Sequence, residues 1–148
     1  AVVALMARDR GGPALAAQVL DIPATDLTMQ APSISTNGTG YMLTKAGMEE
    51  CRAFYAPDPA DWTHPYASPL HAPDLAGLPP AVVTTCEYDP LRDEGEQYGM
   101  RLVAAGVPVL MQRAVGHVHG SLGMGVDPHA GAYRRRIEAF LRDQLRAR

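Results

Sequence analysis

A carboxylate and an imidazole 30 residues apart, each just beyond a run of strand-forming residues, are the groups in this sequence best suited to chemistry. The run Ala81-Val82-Val83-Thr84-Thr85-Cys86 gives way to Glu87-Tyr88-Asp89-Pro90. The run from Val107 to Val115 gives way to a glycine-rich stretch, 116–125, that carries His117 and His119. In an open α/β sheet, reactive groups collect just past the carboxyl ends of the strands. Two successive parallel strands would therefore make Asp89 and a histidine neighbours. A carboxylate that accepts the Nδ1–H of a histidine fixes its tautomer and stabilises the imidazolium formed during acyl transfer.

Each of these residues has a plainer reading. On spacing alone, Asp89 before Pro90 serves equally as a strand-ending turn residue. Asp93 and Glu94 suit the first turn of a helix, where they would cap it and favour its dipole. His117 competes with His119 and reads otherwise as a partly exposed loop residue. His64, His71 and His129 share no ligand spacing and read as surface or loop residues, so no metal site is expected. The methionines, Met6 and Met100 among them, read as core filler.

The elements that must position Asp89 and His119 follow from pattern. Ala1 to Arg10 reads as a helix already under way, stopped by Gly11-Gly12-Pro13. Ala16 to Leu20 is a short buried strand, and residues 26–41 an irregular connection. Residues 44–56 form a helix with Thr44 as N-cap and Met48, Cys51, Phe54 and Tyr55 on one side. Residues 57–80 hold seven prolines and read as an ordered loop with a helical turn. Residues 81–86 are β-branched and apolar throughout, as a central parallel strand covered on both faces would be. Arg92 to Ala105 is a helix that turns Leu91, Tyr98, Leu102 and Val103 to the sheet. Residues 107–115 are the next strand. Pro128 opens a last amphipathic helix, with Tyr133, Ile137, Phe140, Leu141 and Leu145 as its buried stripe and Arg134, Arg135 and Arg136 in water. Strands alternating with helices predict parallel βαβ units in a doubly wound sheet.

The wording of the motifs is also familiar. EYDPLRDEGEQYGMRLVAAGVPV over 87–109, followed by GHVHG over 116–120, resembles the hormone-sensitive-lipase family of α/β-hydrolase esterases and lipases. ASPL and DLAGLPPAVV (67–83) and QVLDIPATDLT (18–28) are similar to the same family. The resemblance implies Asp89 as triad acid and His119 as triad base, in the α/β-hydrolase order Ser…Asp…His. It implies a cofactor-free serine hydrolase of small to medium carboxylic esters, on a mostly parallel sheet of which this chain supplies the last three strands. The family's G-D-S-A-G-G elbow and H-G-G-G oxyanion loop are not in the sequence. The four serines, Ser33, Ser35, Ser68 and Ser121, all lie outside any G-x-S-x-G. The expectation is thus the C-terminal part of one α/β-hydrolase domain over 1–148, inactive by itself and associated with its other half or with a second copy through strand 107–115. Ser121 stands where the family often has Phe after H-G, which would reshape a substrate pocket. The alternative is a binding or receptor-like derivative of the fold, or a truncated and inactive one.

Composition narrows the remaining classes. A net charge of −3 with interspersed signs gives no footprint for nucleic acid or an anionic membrane. No apolar stretch approaches the roughly 20 residues that span a bilayer. A 47% hydrophobic share with 20% charged residues is that of a soluble globular chain. Cys51 and Cys86 match no zinc or redox spacing. Cys86 reads as a buried free thiol, which favours a reducing, cytoplasmic setting.

Overall fold

The computed structural model describes residues 1–124, 128 and 130–146. Three parallel strands form one sheet in the order β1-β2-β3: β1 is Gln18–Asp21, β2 Ala81–Tyr88 and β3 Val109–Val118. Helix α1 (Val2–Asp9) precedes β1, as the Gly-Gly-Pro stop requires. Between β1 and β2 come α2 (Pro32–Thr36), α3 (Lys45–Tyr55) and two 3₁₀ turns, Pro59–Thr63 and Pro69–His71. Helix α4 (Arg92–Ala104) crosses from β2 to β3. A third 3₁₀ turn, Ser121–Met124, and helix α5 (Ala130–Arg146) follow. Alternation of strand and helix leads to a parallel sheet because parallel neighbours need a long crossover.

Every residue of β2 from Ala81 to Cys86 is buried, which is why its sequence shows no polar alternation. Ala81 and Val83 pack with Leu20 of β1, Tyr98 and Leu102 of α4, and Ala4 and Leu5 of α1 in the main core. Helix α4 comes close to the sheet at two glycines one turn apart. A Cβ on Gly95 would lie 3.2 Å from Thr85 Cγ2, and one on Gly99 would lie 3.0 Å from Met111 Sδ. Thr44 caps α3 by accepting the Gly47 N–H at 3.1 Å.

Several expectations need correction. The first strand is Gln18–Asp21 rather than 16–20. In α3 only Met48 is buried, against Ile34 and Leu91, while Phe54 and Tyr55 are exposed along with Cys51. Helical spacing places these residues on one side but cannot supply a neighbour to cover them. Val103 and Met100 of α4 are likewise exposed, because the helix turns Tyr98 and Leu102 to the sheet instead; Met6 is half-buried. The last helix begins at Ala130, with Pro128 in a turn before it. Its stripe of Tyr133, Ile137, Phe140 and Leu141 is half-buried and Leu145 is exposed, whereas Arg134, Arg135 and Arg136 are exposed as expected. His129 and Gly125 lie outside the described residues.

The C-terminal end of the sheet has one irregularity that matters. Cys86 is paired with Ala114, but Tyr88 is paired with Val118, so β3 advances four residues while β2 advances two. Gly116 takes a φ of +79° inside this bulge, a conformation that glycine adopts without penalty. The expected loop at Gly116 is therefore strand as far as Val118, and it delivers His119 to the level of Asp89.

Candidate active site

Asp89 follows the last residue of β2 and His119 the last residue of β3, on adjoining parallel strands. His119 Nδ1 lies 2.8 Å from Asp89 Oδ2. The acid is 1% exposed, and its other oxygen accepts the Leu91 N–H at 2.9 Å. The His119 side chain is 27% exposed and lines a cavity of about 510 Å³. With Nδ1 held by the carboxylate, Nε2 is the nitrogen left to meet a reacting group. Asp21 ends β1 close enough to feel this imidazole: burial pushes its carboxyl up, against the pull of His119.

The turn that carries Asp89 is tied from several sides. Asn37 Nδ2 donates to the carbonyls of Asp89 (3.2 Å) and Glu87 (3.4 Å). Arg92 Nη1 also donates to the Glu87 carbonyl, and Ser33 Oγ donates to the Pro90 carbonyl at 2.6 Å. Asp93 does not cap its own helix. Its Oδ2 accepts the Ser33 N–H, and its own N–H reaches Ser33 Oγ, so α2 and α4 are clasped beside the acid. The Gly116 N–H donates to Glu87 Oε2 at 2.7 Å, joining the bulge to the end of β2.

Glu94 departs furthest from its sequence reading. It is fully buried, and its Oε1 accepts the Thr25 and Asp26 N–H groups at 2.6 and 3.1 Å. Burial pushes its carboxyl up to about 7, partly opposed by those two hydrogen bonds. It thereby fastens the 22–29 segment, in which Ile22 and Met29 both take positive φ, to α4. A helix-cap role was the local inference; partners nearly 70 residues upstream cannot be read from a first-turn position.

His117 is buried rather than exposed, its Nδ1 2.9 Å from Ser121 Oγ and its ring edge-on to Tyr133. His71 Nε2 lies 2.9 Å from Asp26 Oδ1, a second Asp–His pair that sequence spacing did not suggest. His64 accepts the Tyr66 N–H on Nδ1. Among the described residues no three His, Cys, Asp or Glu side chains are grouped to hold a metal ion. Cys86 and Cys51 are both free thiols, and burial with the nearby Asp89 and Asp21 charges pushes Cys86 up to about 12. At neutral pH Cys86 is therefore a thiol and no nucleophile.

Three of the four serines are engaged elsewhere. Ser33 Oγ is committed to Pro90, Ser68 Oγ donates to the Trp62 carbonyl and accepts from Leu27 N–H, and Ser121 Oγ serves Val118 and His117. Among the described residues no serine is hydrogen-bonded to His119.

The fold agrees with comparison to known proteins. A family model described as alpha/beta hydrolase fold matches residues 1–123. An arylesterase of Saccharolobus solfataricus is 42% identical over 124 residues, which cover 83% of this chain and 40% of the relative. Carboxylesterase NlhH of Mycobacterium tuberculosis is 38% identical over 151 residues, covering 99% of this chain and 47% of the relative. The solved hyperthermophilic esterase of Pyrobaculum calidifontis superposes with a TM-score of 0.89 at 38% identity, over 97% of this chain and 48% of that one. The chain belongs to the α/β-hydrolase family, in its hormone-sensitive-lipase-like branch. It spans about half or less of the length of these relatives.

Proposed function

We propose that these 148 residues supply the acid and base of a serine carboxylesterase acting on small to medium esters, with Asp89 and His119 in those roles. In this reading the nucleophile and the oxyanion donors come from a further segment. The serine Oγ attacks the ester carbonyl while His119 Nε2 takes its proton. The tetrahedral intermediate collapses, the C–O bond to the alcohol breaks, and His119 returns the proton to the leaving oxygen. Water then attacks the acyl-enzyme, giving a proton to His119; the second tetrahedral intermediate collapses, the bond from the acyl carbon to Oγ breaks, and His119 returns the proton to the serine as the carboxylic acid leaves. Asp89 holds the tautomer and balances the imidazolium.

The observation that carries this reading is the 2.8 Å Nδ1–Oδ2 contact between an exposed-edge imidazole and an acid only 1% exposed. A binding module has no need of a buried acid behind a cavity-facing imidazole. The test is hydrolysis of p-nitrophenyl acetate and butyrate by this chain alone and by a polypeptide that also carries the serine segment. Turnover by the longer polypeptide only is the expected result. An inactive longer polypeptide would sink the hydrolase reading in favour of a binding role.

Two further parts of the reading concern setting. The outer edge of β3 has Val115 exposed, and we expect a second copy to associate there, with the serine-bearing segment at the opposite edge, beside β1. A monodisperse 148-residue monomer in sedimentation would contradict that. No helix among the described residues is long and apolar enough to cross a membrane. Two free thiols fit the reducing cytoplasm we propose, which fractionation would check.

A further inference from the structure

One wall of the cavity beside His119 carries a fixed positive charge for which the proposed reaction gives no use. Met29, Leu43, Met48 and Leu91 provide much of an apolar lining, and Arg52 of α3 joins them. The Arg52 guanidinium carbon lies 3.6 Å from the centroid of the Trp62 ring, and Nη1 donates to the Leu27 carbonyl at 2.8 Å. Trp62 is itself held, its indole N–H donating to the Ala56 carbonyl at 3.0 Å. Stacking and one hydrogen bond therefore orient the group before any ligand arrives.

A guanidinium has five N–H donors and stays charged at any pH where the protein is folded. Leu27 uses one of the five. Among the described residues no carboxylate oxygen lies within 4.0 Å of Arg52. Neither of the two acids that share the cavity is paired with Arg52, although Glu94 Oε2 is buried without a hydrogen-bond partner. Asp26 accepts from the Thr28 N–H and hydroxyl and is paired with His71. Glu94 gives Oε1 to two backbone N–H groups, and burial keeps its carboxyl partly protonated near neutral pH. What remains is a preoriented cation, borne by a residue that lines the same largely apolar cavity as His119. A planar carboxylate is the group whose geometry fits the free fork.

We propose that Arg52 is a specificity-determining residue that receives a second, ionised carboxylate on the substrate, fitting the site to monoesters of dicarboxylic acids. This inference rests on the ester-hydrolase reading above. The apolar wall would accommodate the methylenes between the two carbonyl carbons, with the ester at His119 and the free carboxylate at Arg52.

The experiment compares monoethyl succinate, glutarate and adipate with ethyl butanoate, pentanoate and hexanoate in the full-length protein, for wild type, Arg52→Gln and Arg52→Lys. In the wild type, the best half-ester is expected to exceed its neutral counterpart in kcat/KM by about ten-fold, a preference that shrinks with added salt. Arg52→Gln should remove that preference by slowing the half-ester about ten-fold, with the neutral ester changed no more than about two-fold. Arg52→Lys should retain part of it. Equal wild-type rates on charged and neutral esters, or a preference that survives Arg52→Gln, would overturn the proposal. If no ester at all is turned over, the hydrolase reading has failed and calorimetry decides the site. Binding of glutaric acid monoamide by wild type but not by Arg52→Gln would uphold the carboxylate site, and no binding by wild type would overturn it.

Discussion

Asp89 meets His119 through Nδ1 at 2.8 Å, and Asp26 meets His71 through Nε2 at 2.9 Å; the two pairs use the same side chains in opposite order about one cavity. In the first pair the imidazole lines the cavity and the acid lies behind it. In the second the acid lines the cavity and His71 lies behind. The acids also differ in their other obligations. Asp89 gives one oxygen to a single backbone N–H and the other to His119. Asp26 shares its oxygens among the Thr28 N–H, the Thr28 hydroxyl and His71. A carboxylate tied to its own loop braces that loop, whereas one whose second oxygen is kept for a ring nitrogen orients the ring. An Asp–His contact is thus no sign of proton transfer until one knows which nitrogen is tied and which partner reaches the cavity.

The sharpest way to break this comparison is to remove one imidazole at a time from the longer polypeptide that also carries the proposed serine segment. His119→Ala should lower kcat/KM for p-nitrophenyl butyrate by about 10⁴-fold or more. Retained activity would mean that another group is the base. Asp89→Asn should cost about 10³-fold or more, because the amide cannot accept Nδ1–H as the carboxylate does and the wrong tautomer is favoured. A loss below about ten-fold would reduce Asp89 to a turn residue.

Glu94 sharpens the contrast through stability, since it anchors the loop on which Asp26 stands. Its folded-state pKa of about 7 lies above the ordinary 4.5, so folding takes up a proton between those values. The contribution is complete below the ordinary value and disappears as pH rises through about 7. The loss amounts to roughly 3 kcal/mol at most, taking 1.36 kcal/mol per unit. Glu94→Gln should therefore flatten the fall in Tm between pH 5 and 8; an unchanged slope would show that Glu94 is not its source. His71→Ala should have the smallest effect, about 1 kcal/mol in stability because the ring is one-third exposed, with hydrolysis within about three-fold. A loss of activity as large as that of His119→Ala would erase the distinction between the two pairs.

What could be read in advance, and what could not, follows the range over which each feature is encoded. The unbroken apolar run 81–86 announces a strand buried on both faces, and Asp89 just beyond it needs no distant partner to be noticed. Thr44 announces its helix because the N–H it accepts is three residues away. By contrast, the glycines around His117 and His119 suggest a loop, yet Gly116 makes a bulge that keeps β3 paired through Val118. His117 is drawn inside by Ser121 and Tyr133, and nothing in its immediate sequence differs from an exposed histidine. Asp93 and Glu94 look like first-turn acids because that is all their neighbours reveal. Their partners, Ser33 and the 25–26 backbone, arrive only when α2 and the loop after β1 fold over α4. Phe54 and Tyr55 fail in the opposite sense: the helical spacing was right, but no described element covers them.

The sequence by itself determined the parallel strand order's raw material, the acid and the histidine, and their positions just past two strand ends. Those follow from side-chain pattern within a few residues, where backbone geometry and burial need are set locally. Only the tertiary structure decided that Asp89 takes Nδ1 of His119, that Asp26 and Glu94 belong to the cavity wall, and that Arg52 lies over the Trp62 ring with donors to spare. These depend on hydrogen bonds and stacking between residues brought together by packing, and a buried polar group takes whichever partner the packed core leaves within reach.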